Sequence, residues 1–173
     1  AKIVMNTGAY AENSPLVVEK STNRCVGPYA IPNVLIENSS LYTNTVPASS
    51  YRGFGCAQVT LPGESQIDEL AKKIGKDPYE FRLANAAQPA QEFFPGMRPF
   101  DGTLKEDLET AAKAIGWEKP LPRGRGRTIA CSGSDAGAYP LTSTSVRVHA
   151  DGSVTIMTGS TELGQGSHTV LPQ

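Results

Sequence analysis

At 173 residues, 39% hydrophobic and 19% charged, the sequence can bury a core for one ordinary domain or two small ones and is too short for a large multidomain assembly. A formal net charge of -1, from 16 Lys and Arg against 17 Asp and Glu, excludes a strongly basic nucleic-acid binder. No apolar run reaches the roughly 18 residues of a membrane span, the opening residues lack a signal-peptide pattern, and the Gly (17) and Pro (13) content predicts many turns between modest elements.

In chain order, Lys2 to Met5 predicts a short strand and Gly8 a bend. Pro15, Pro28 and Pro32 argue against a continuous helix in the stretch that follows. Val34 to Ile36 and Leu41 to Thr45 predict two short strands around a turn at Asn38-Ser39-Ser40. From Ser65 the pattern turns helical: Ile67, Leu70, Ala71 and Ile74 form one apolar stripe, and Gly75 marks a left-handed stop. Asp77-Pro78-Tyr79-Glu80 restarts a helix with a cap, a first-turn proline and a capping-box glutamate. After a loop from Gln88 to Gly102, Thr103 and Glu106 predict a second capping box, with Leu104, Leu108, Ala111 and Ile115 on one face and Gly116 as terminator. Ser145 to Met157 alternates as a hairpin with Asp151-Gly152 as a two-residue turn, and Thr169-Val170-Leu171 begins another helix. The sum is an α+β fold, short mixed strands with helices on one side.

Two segments can carry chemistry. In Tyr51-Arg52-Gly53-Phe54-Gly55, two glycines let backbone approach a ligand, Phe54 offers a flat face, and Arg52 a five-donor fork for oxyanions. In Gly164-Gln165-Gly166-Ser167-His168-Thr169, a glycine turn feeding a helix start can aim N–H groups at an anion, with Gln165 adding an amide donor and acceptor. It is neither a Walker loop nor a dinucleotide turn. By spacing alone a plain structural turn is the default for both. His149 and His168 with the scattered Cys25, Cys56 and Cys131 make no metal-ligand or disulfide pattern, and the unpaired cysteines suit a cytoplasmic location. Arg123-Gly124-Arg125-Gly126-Arg127 has the look of an RNA-binding tract, but a solvated linker is the simpler reading in a nearly neutral chain.

Taken in order, these segments resemble a known family. Thr7-Gly8-Ala9-Tyr10-Ala11, Tyr29-Ala30-Ile31-Pro32-Asn33, Tyr42-Thr43-Asn44, Tyr51 to Gly55 with Gln58, Ile67 to Ala71, Asp77 to Arg82 and Asn85, then Asp151 to Val154 and Gly159 to Gln173, are similar to the molybdopterin-binding catalytic subunit of the xanthine dehydrogenase/aldehyde oxidase (molybdenum hydroxylase) family. The resemblance covers nearly the whole chain, loosely between Gln88 and Ala138. It implies an oxidoreductase that hydroxylates a heterocycle or aldehyde with water-derived oxygen on a molybdenum–molybdopterin cofactor, the cytosine dinucleotide form being one option. It further implies iron–sulfur clusters, with FAD as an optional further group, on partner subunits or domains. Arg52 and Gly53 would sit beside the molybdenum centre, Phe54 would stack on substrate, and Gln165 with the N–H groups of Leu163, Gly164, Gly166, Ser167, His168 and Thr169 would hold the pterin and its phosphate.

There are departures. Leu61-Pro62-Gly63 interrupts the expected helix start, Cys56 stands where a glycine is common, and Lys20 occupies the place of a substrate-orienting arginine. The general-base glutamate is expected beyond Gln173, so no catalytic residue is assigned. The chain is therefore expected to be an internal piece of a longer subunit. Its regions are 1–87 (first cofactor loop and following helices), 88–127 (loop, helix and basic linker) and 128–173 (hairpin and second cofactor loop). Alone it is expected to be inactive and prone to self-association through apolar faces such as Leu104/Leu108/Ile115, with the remainder of the subunit, an iron–sulfur subunit and a small-molecule substrate as partners. The alternatives are a stand-alone phosphate- or nucleotide-binding module without redox activity and, on Arg123 to Arg127 alone, an RNA-binding protein.

Overall fold

A computed structural model describes residues 1–94, 97–134 and 143–173. The expected loop from Gln88 to Gly102 includes residues 95–96, and the third expected region includes 135–142, which lie outside the described residues. The chain divides into two units, Ala1–Asp135 and Ala136–Gln173. Helices and short strands combine as a mixed α+β fold: β1 (Lys2–Gly8), α1 (Ser14–Arg24), β2 (Glu37–Tyr42), α2 (Cys56–Lys73), α3 (Pro78–Asn85) and α4 (Leu104–Ile115) in the first unit, β3 (Thr144–Val148), β4 (Val154–Thr158) and α5 (Ser167–Val170) in the second.

The first unit opens with a crossover. β1 and β2 pair in parallel, from Lys2 opposite Glu37 to Asn6 opposite Leu41, and parallel neighbours need a connection such as α1 between them. This corrects two expectations. Pro15 starts α1, because a fixed φ and a missing N–H cost nothing in the first turn of a helix. Asn38-Ser39-Ser40 is the middle of β2, where a turn was expected. The polar residue there has a tertiary purpose: the Asn38 side-chain amide lies 2.9 Å from Val18 O, 2.9 Å from Ser21 Oγ and 2.8 Å from Thr22 Oγ1, tying β2 to α1.

Helix α2 begins at Cys56 and runs through Pro62, so the expected interruption at Leu61-Pro62-Gly63 does not occur. Buried Val59 and Glu64 anchor the helix on both sides of the exposed proline. It ends as the sequence predicts: Gly75 takes φ +66°, Lys76 N–H donates to Ala71 O (2.9 Å) and Gly75 N–H to Lys72 O (3.2 Å). Asp77 then caps α3 by accepting from the N–H groups of Tyr79 (2.8 Å) and Glu80 (3.1 Å). The same carboxylate receives the indole N–H of Trp117 at 3.1 Å, joining the start of α3 to the turn after α4.

At α4 the predicted capping box is absent, since Thr103 makes no side-chain cap bond. The buried face is Leu108 with Ala112; Ala111 and Ile115 point outward, because a helix turns 3.6 residues per turn and the core meets it along a different stripe. Gly116 ends the helix at φ +65°, as expected. Tyr29, Ala86, Leu108, Ala112, Ile129 and Cys131 form the core.

A charged network is buried beside that core. Arg82 on α3 is fully buried and donates Nε to Glu64 Oε2 (2.9 Å), Nη1 to Asp68 Oδ1 (2.6 Å) and Nη2 to Glu64 O (3.3 Å). Glu64 also accepts from the Tyr29 hydroxyl (2.6 Å) and the Cys131 N–H (2.9 Å). Burial opposes the charge on Arg82, but the hydrogen bonds to Asp68 and Glu64 outweigh it and hold its pKa above the ordinary value. Burial, then the bond to Glu64, pushes the Tyr29 phenol far above its usual range, so it stays a donor.

In the second unit β3 and β4 pair antiparallel, Val146 opposite Ile156 and Val148 opposite Val154, as predicted. The turn is longer than expected: His149 N–H donates to Ser153 O (2.8 Å) and Gly152 N–H to His149 O (3.0 Å), leaving a three-residue loop ending on Gly152 at φ +84°. No helix among the described residues is long and apolar enough to cross a membrane.

Replacing Arg82 by methionine strands the Glu64 carboxylate in the interior. Arg82→Met is expected to cost about 3–5 kcal/mol in urea unfolding, whereas Arg125→Met, at an exposed position, is expected to stay within about 0.5 kcal/mol.

Candidate functional site

The loop that carries Arg52 is shaped by α1. Three consecutive residues take positive φ, Gly53 at +78°, Phe54 at +23° and Gly55 at +91°, and a phenylalanine there is held only by its surroundings. Those surroundings are specific. Arg24, in the last turn of α1, donates Nη1 to Phe54 O at 3.0 Å. Cys56 N–H returns to Gly53 O at 2.6 Å. Gly55 lies so close to α1 that a Cβ would fall 2.7 Å from both Ser21 N and Val17 O and 3.1 Å from the carbonyl carbon of Lys20. The structure thus brings the α1 backbone at Val17, Lys20 and Ser21 against Gly55, which sequence spacing alone did not require.

The exposed parts of this loop face outward. Arg52 is exposed, its guanidinium 5.5 Å from the Tyr51 ring centroid, and Ser50 Oγ donates to Arg52 O at 2.9 Å. Phe54 is half-buried. A cleft of about 280 Å³ opens between β1, α1 and the first turn of α2, lined by Asn6, Thr7, Ser14, Ser49 and Gln58 among others.

The second loop, in the other unit, is held from within. Glu162 Oε1 accepts from the N–H groups of Gly164 (2.6 Å) and Gly166 (3.0 Å), and Oε2 from His168 N–H (3.3 Å). Bonds from the Gly166 and Gly164 amides, more than desolvation can offset, keep its carboxyl below the usual range. Gln165 is clamped as well. Its Oε1 accepts from Leu163 N–H (2.7 Å), and its Nε2 donates to Thr161 O (2.5 Å) and Ser167 Oγ (2.7 Å). Thr169 N–H closes on Gly166 O at 2.9 Å. Of the N–H groups that the sequence offers to an outside anion, those of Gly164, Gly166 and His168 are taken by an internal carboxylate, and those of Leu163 and Thr169 bond within the loop.

Three of these groups carry no role that the sequence assigns. Arg24 and Glu64 act across thirty or more residues, and no short-range pattern marks them. Glu162 did leave a trace, an acid two residues before a Gly-x-Gly turn. In the arginine-rich tract, Arg127 proves to be a structural clasp, donating to Trp117 O (2.7 Å) and Lys119 O (2.9 Å).

Two family profiles, both for the molybdopterin cofactor-binding domain, match residues 1–86 and 102–173. The chain is 36% identical over 119 residues to the nicotinate dehydrogenase large molybdopterin subunit of Eubacterium barkeri, covering 66% of this chain and 28% of that protein. It is 31% identical over 186 residues to the putative xanthine dehydrogenase molybdenum-binding subunit of Escherichia coli, covering 99% of this chain and 24% of that one. The crystal structure of the aldehyde oxidoreductase from Desulfovibrio desulfuricans superposes with a TM-score of 0.74 at 26% identity, covering 88% of this chain and 18% of that chain. The chain thus spans about a quarter of the length of the curated relatives it matches. With both halves matched, and with relatives of the xanthine dehydrogenase and aldehyde oxidoreductase type, the chain belongs to the molybdopterin cofactor-binding domain family.

Proposed function

We propose that the chain is part of the catalytic molybdenum subunit of an oxidoreductase that hydroxylates a heterocycle or an aldehyde with oxygen from water. The observation that carries this reading is the pair of glycine-rich loops, each held by the chain's own groups, in the order of the family's two cofactor segments. Molybdenum in its pterin dithiolene would supply the two-electron redox chemistry.

The residues present suit such a guest. Gly55 packs against α1, while Gly53 is exposed, and Arg52 stands exposed next to it as a planar five-donor fork. Arg52 and the Gly53 backbone would hold the cofactor's oxygen edge, Phe54 would stack on an aromatic substrate, and Lys20 on α1 would orient it by charge. In the second loop, the amides of Gly164, Gly166 and His168 are engaged by Glu162, so side chains are its outward donors. Gln165 would bind the pterin by exchanging the rotatable Ser167 hydroxyl for a cofactor oxygen. Leu163, Gly164, Gly166, Ser167, His168 and Thr169 would form the rest of that wall. The general base would come from elsewhere in the subunit. The pterin would be carried in a nucleotide form such as the cytosine dinucleotide. An iron–sulfur subunit, with or without FAD, would take the electrons, and the remainder of the molybdenum subunit would cover apolar faces exposed here, such as Leu70 with Ile74.

Two substitutions in the intact subunit test this. Arg52→Ala is expected to lower molybdenum content or turnover about tenfold, on the scale of one charge-assisted contact; unchanged content and unchanged rate would refute the role. Phe54→Ala is expected to lower kcat/KM for aromatic heterocycles about three- to tenfold more than for small aldehydes, and equal losses would mean that Phe54 only packs.

A further inference from the structure

We infer that Glu162 is a positioning residue: its carboxylate fixes the backbone of the second loop and so sets the direction in which Gln165 is presented to the cofactor. This rests on reading Gln165 as a cofactor contact.

The loop has two sides. On one, the N–H groups of alternate residues Gly164, Gly166 and His168 converge on the two oxygens of Glu162. On the other stand Leu163 N–H, Thr161 O and Ser167 Oγ, all bonded to the Gln165 amide. The alternation accompanies the left-handed glycines, Gly164 at φ +109° and Gly166 at φ +84°, at which the direction of the backbone reverses between neighbouring peptides. Glycine lets the chain adopt this shape but does not select it, since glycine visits many others as readily. Selection requires an interaction available only in this shape, and one carboxylate reaching positions two, four and six residues ahead is such an interaction. Neither oxygen contacts the Gln165 side chain in the hydrogen bonds above, so Glu162 acts on Gln165 through the backbone. In a cofactor loop this is the task of groups that hold the contacting residue in line.

The experiment uses the intact molybdenum subunit. Glu162→Gln retains the length of the side chain but offers one acceptor oxygen and an NH2 group, which meets an N–H where the second oxygen stood. Glu162→Asp keeps both oxygens one methylene closer to the backbone. Pterin per chain is read by fluorescence after oxidation, molybdenum by elemental analysis, the melting temperature of the cofactor-free subunit by calorimetry, and hydrogen exchange by mass spectrometry on peptides spanning 159–171.

Glu162→Gln is expected to lower pterin and molybdenum content about tenfold, as second-sphere losses do at metal sites, to speed exchange in those peptides, and to leave the melting temperature unchanged. Glu162→Asp is expected to retain more cofactor than Glu162→Gln. Gln165→Ala serves as reference and should also lose cofactor. If Gln165→Ala empties the subunit while Glu162→Gln stays full, the positioning role is wrong and the cofactor reading stands. If neither loses cofactor, both are wrong. A melting temperature that falls with Glu162→Gln would reduce the residue to a structural part and overturn the inference.

Discussion

The first unit depends on one buried carboxylate. Glu64 sits on α2, and three donors reach it from outside that helix: the Tyr29 hydroxyl from the loop after α1, the Arg82 guanidinium from α3, and the N–H of Cys131 from the stretch beyond α4. A carboxylate in an interior is costly unless every lone pair is used. That requirement makes Glu64 a register pin: α3 must lie where Arg82 can reach it, and Tyr29 must lie where its hydroxyl can, or the charge is stranded. Tyr29 and Cys131 belong also to the apolar core, so the ionic and apolar parts of the unit cannot be arranged independently.

The consequence reaches the first loop. Glu64 and Val59 seat α2 through and beyond its proline, and the N-terminus of α2 grows directly out of Gly55. On the other side α1 presses against Gly55 and holds Phe54 O through Arg24. A loop with three positive φ values in succession is thereby fixed between two helices, each with its own attachment to the unit. The second loop reaches a comparable result by a local route, with Glu162 and Gln165 each closing hydrogen bonds within a few residues. One loop is held by tertiary packing and the other by its own side chains, yet both contain backbone in left-handed conformations that glycine permits.

Several apolar side chains remain exposed, among them Leu70 on α2, Ile74 at its C-cap, and Val146, Val148 and Val154 on the hairpin. On a stripe as regular as that of α2 such exposure is unusual for a helix that packs only within its own unit. It accords with a chain that spans about a quarter of the length of its relatives.

Features governed by neighbours a few residues away were determined by the sequence itself. Asp77-Pro78 starts α3, Gly75 and Gly116 end their helices in left-handed turns, and the valines of β3 and β4 pair as their alternation requires. The order of the motifs was likewise enough to bring out the family resemblance. Pro15 and Pro62 misled because proline reports a local prohibition, and a first-turn position or anchors on either side of the residue remove its force. Asn38-Ser39-Ser40 misled because polar residues favour turns only when no helix offers them partners, and α1 does. Only the tertiary structure could decide that Glu64, Arg82, Tyr29 and Cys131 form one network, that Arg24 holds Phe54, and that an anion nest is filled by Glu162. The first two join residues far apart along the chain, and the third depends on the direction of peptide N–H groups, which is a property of φ and ψ that a list of residue types does not contain.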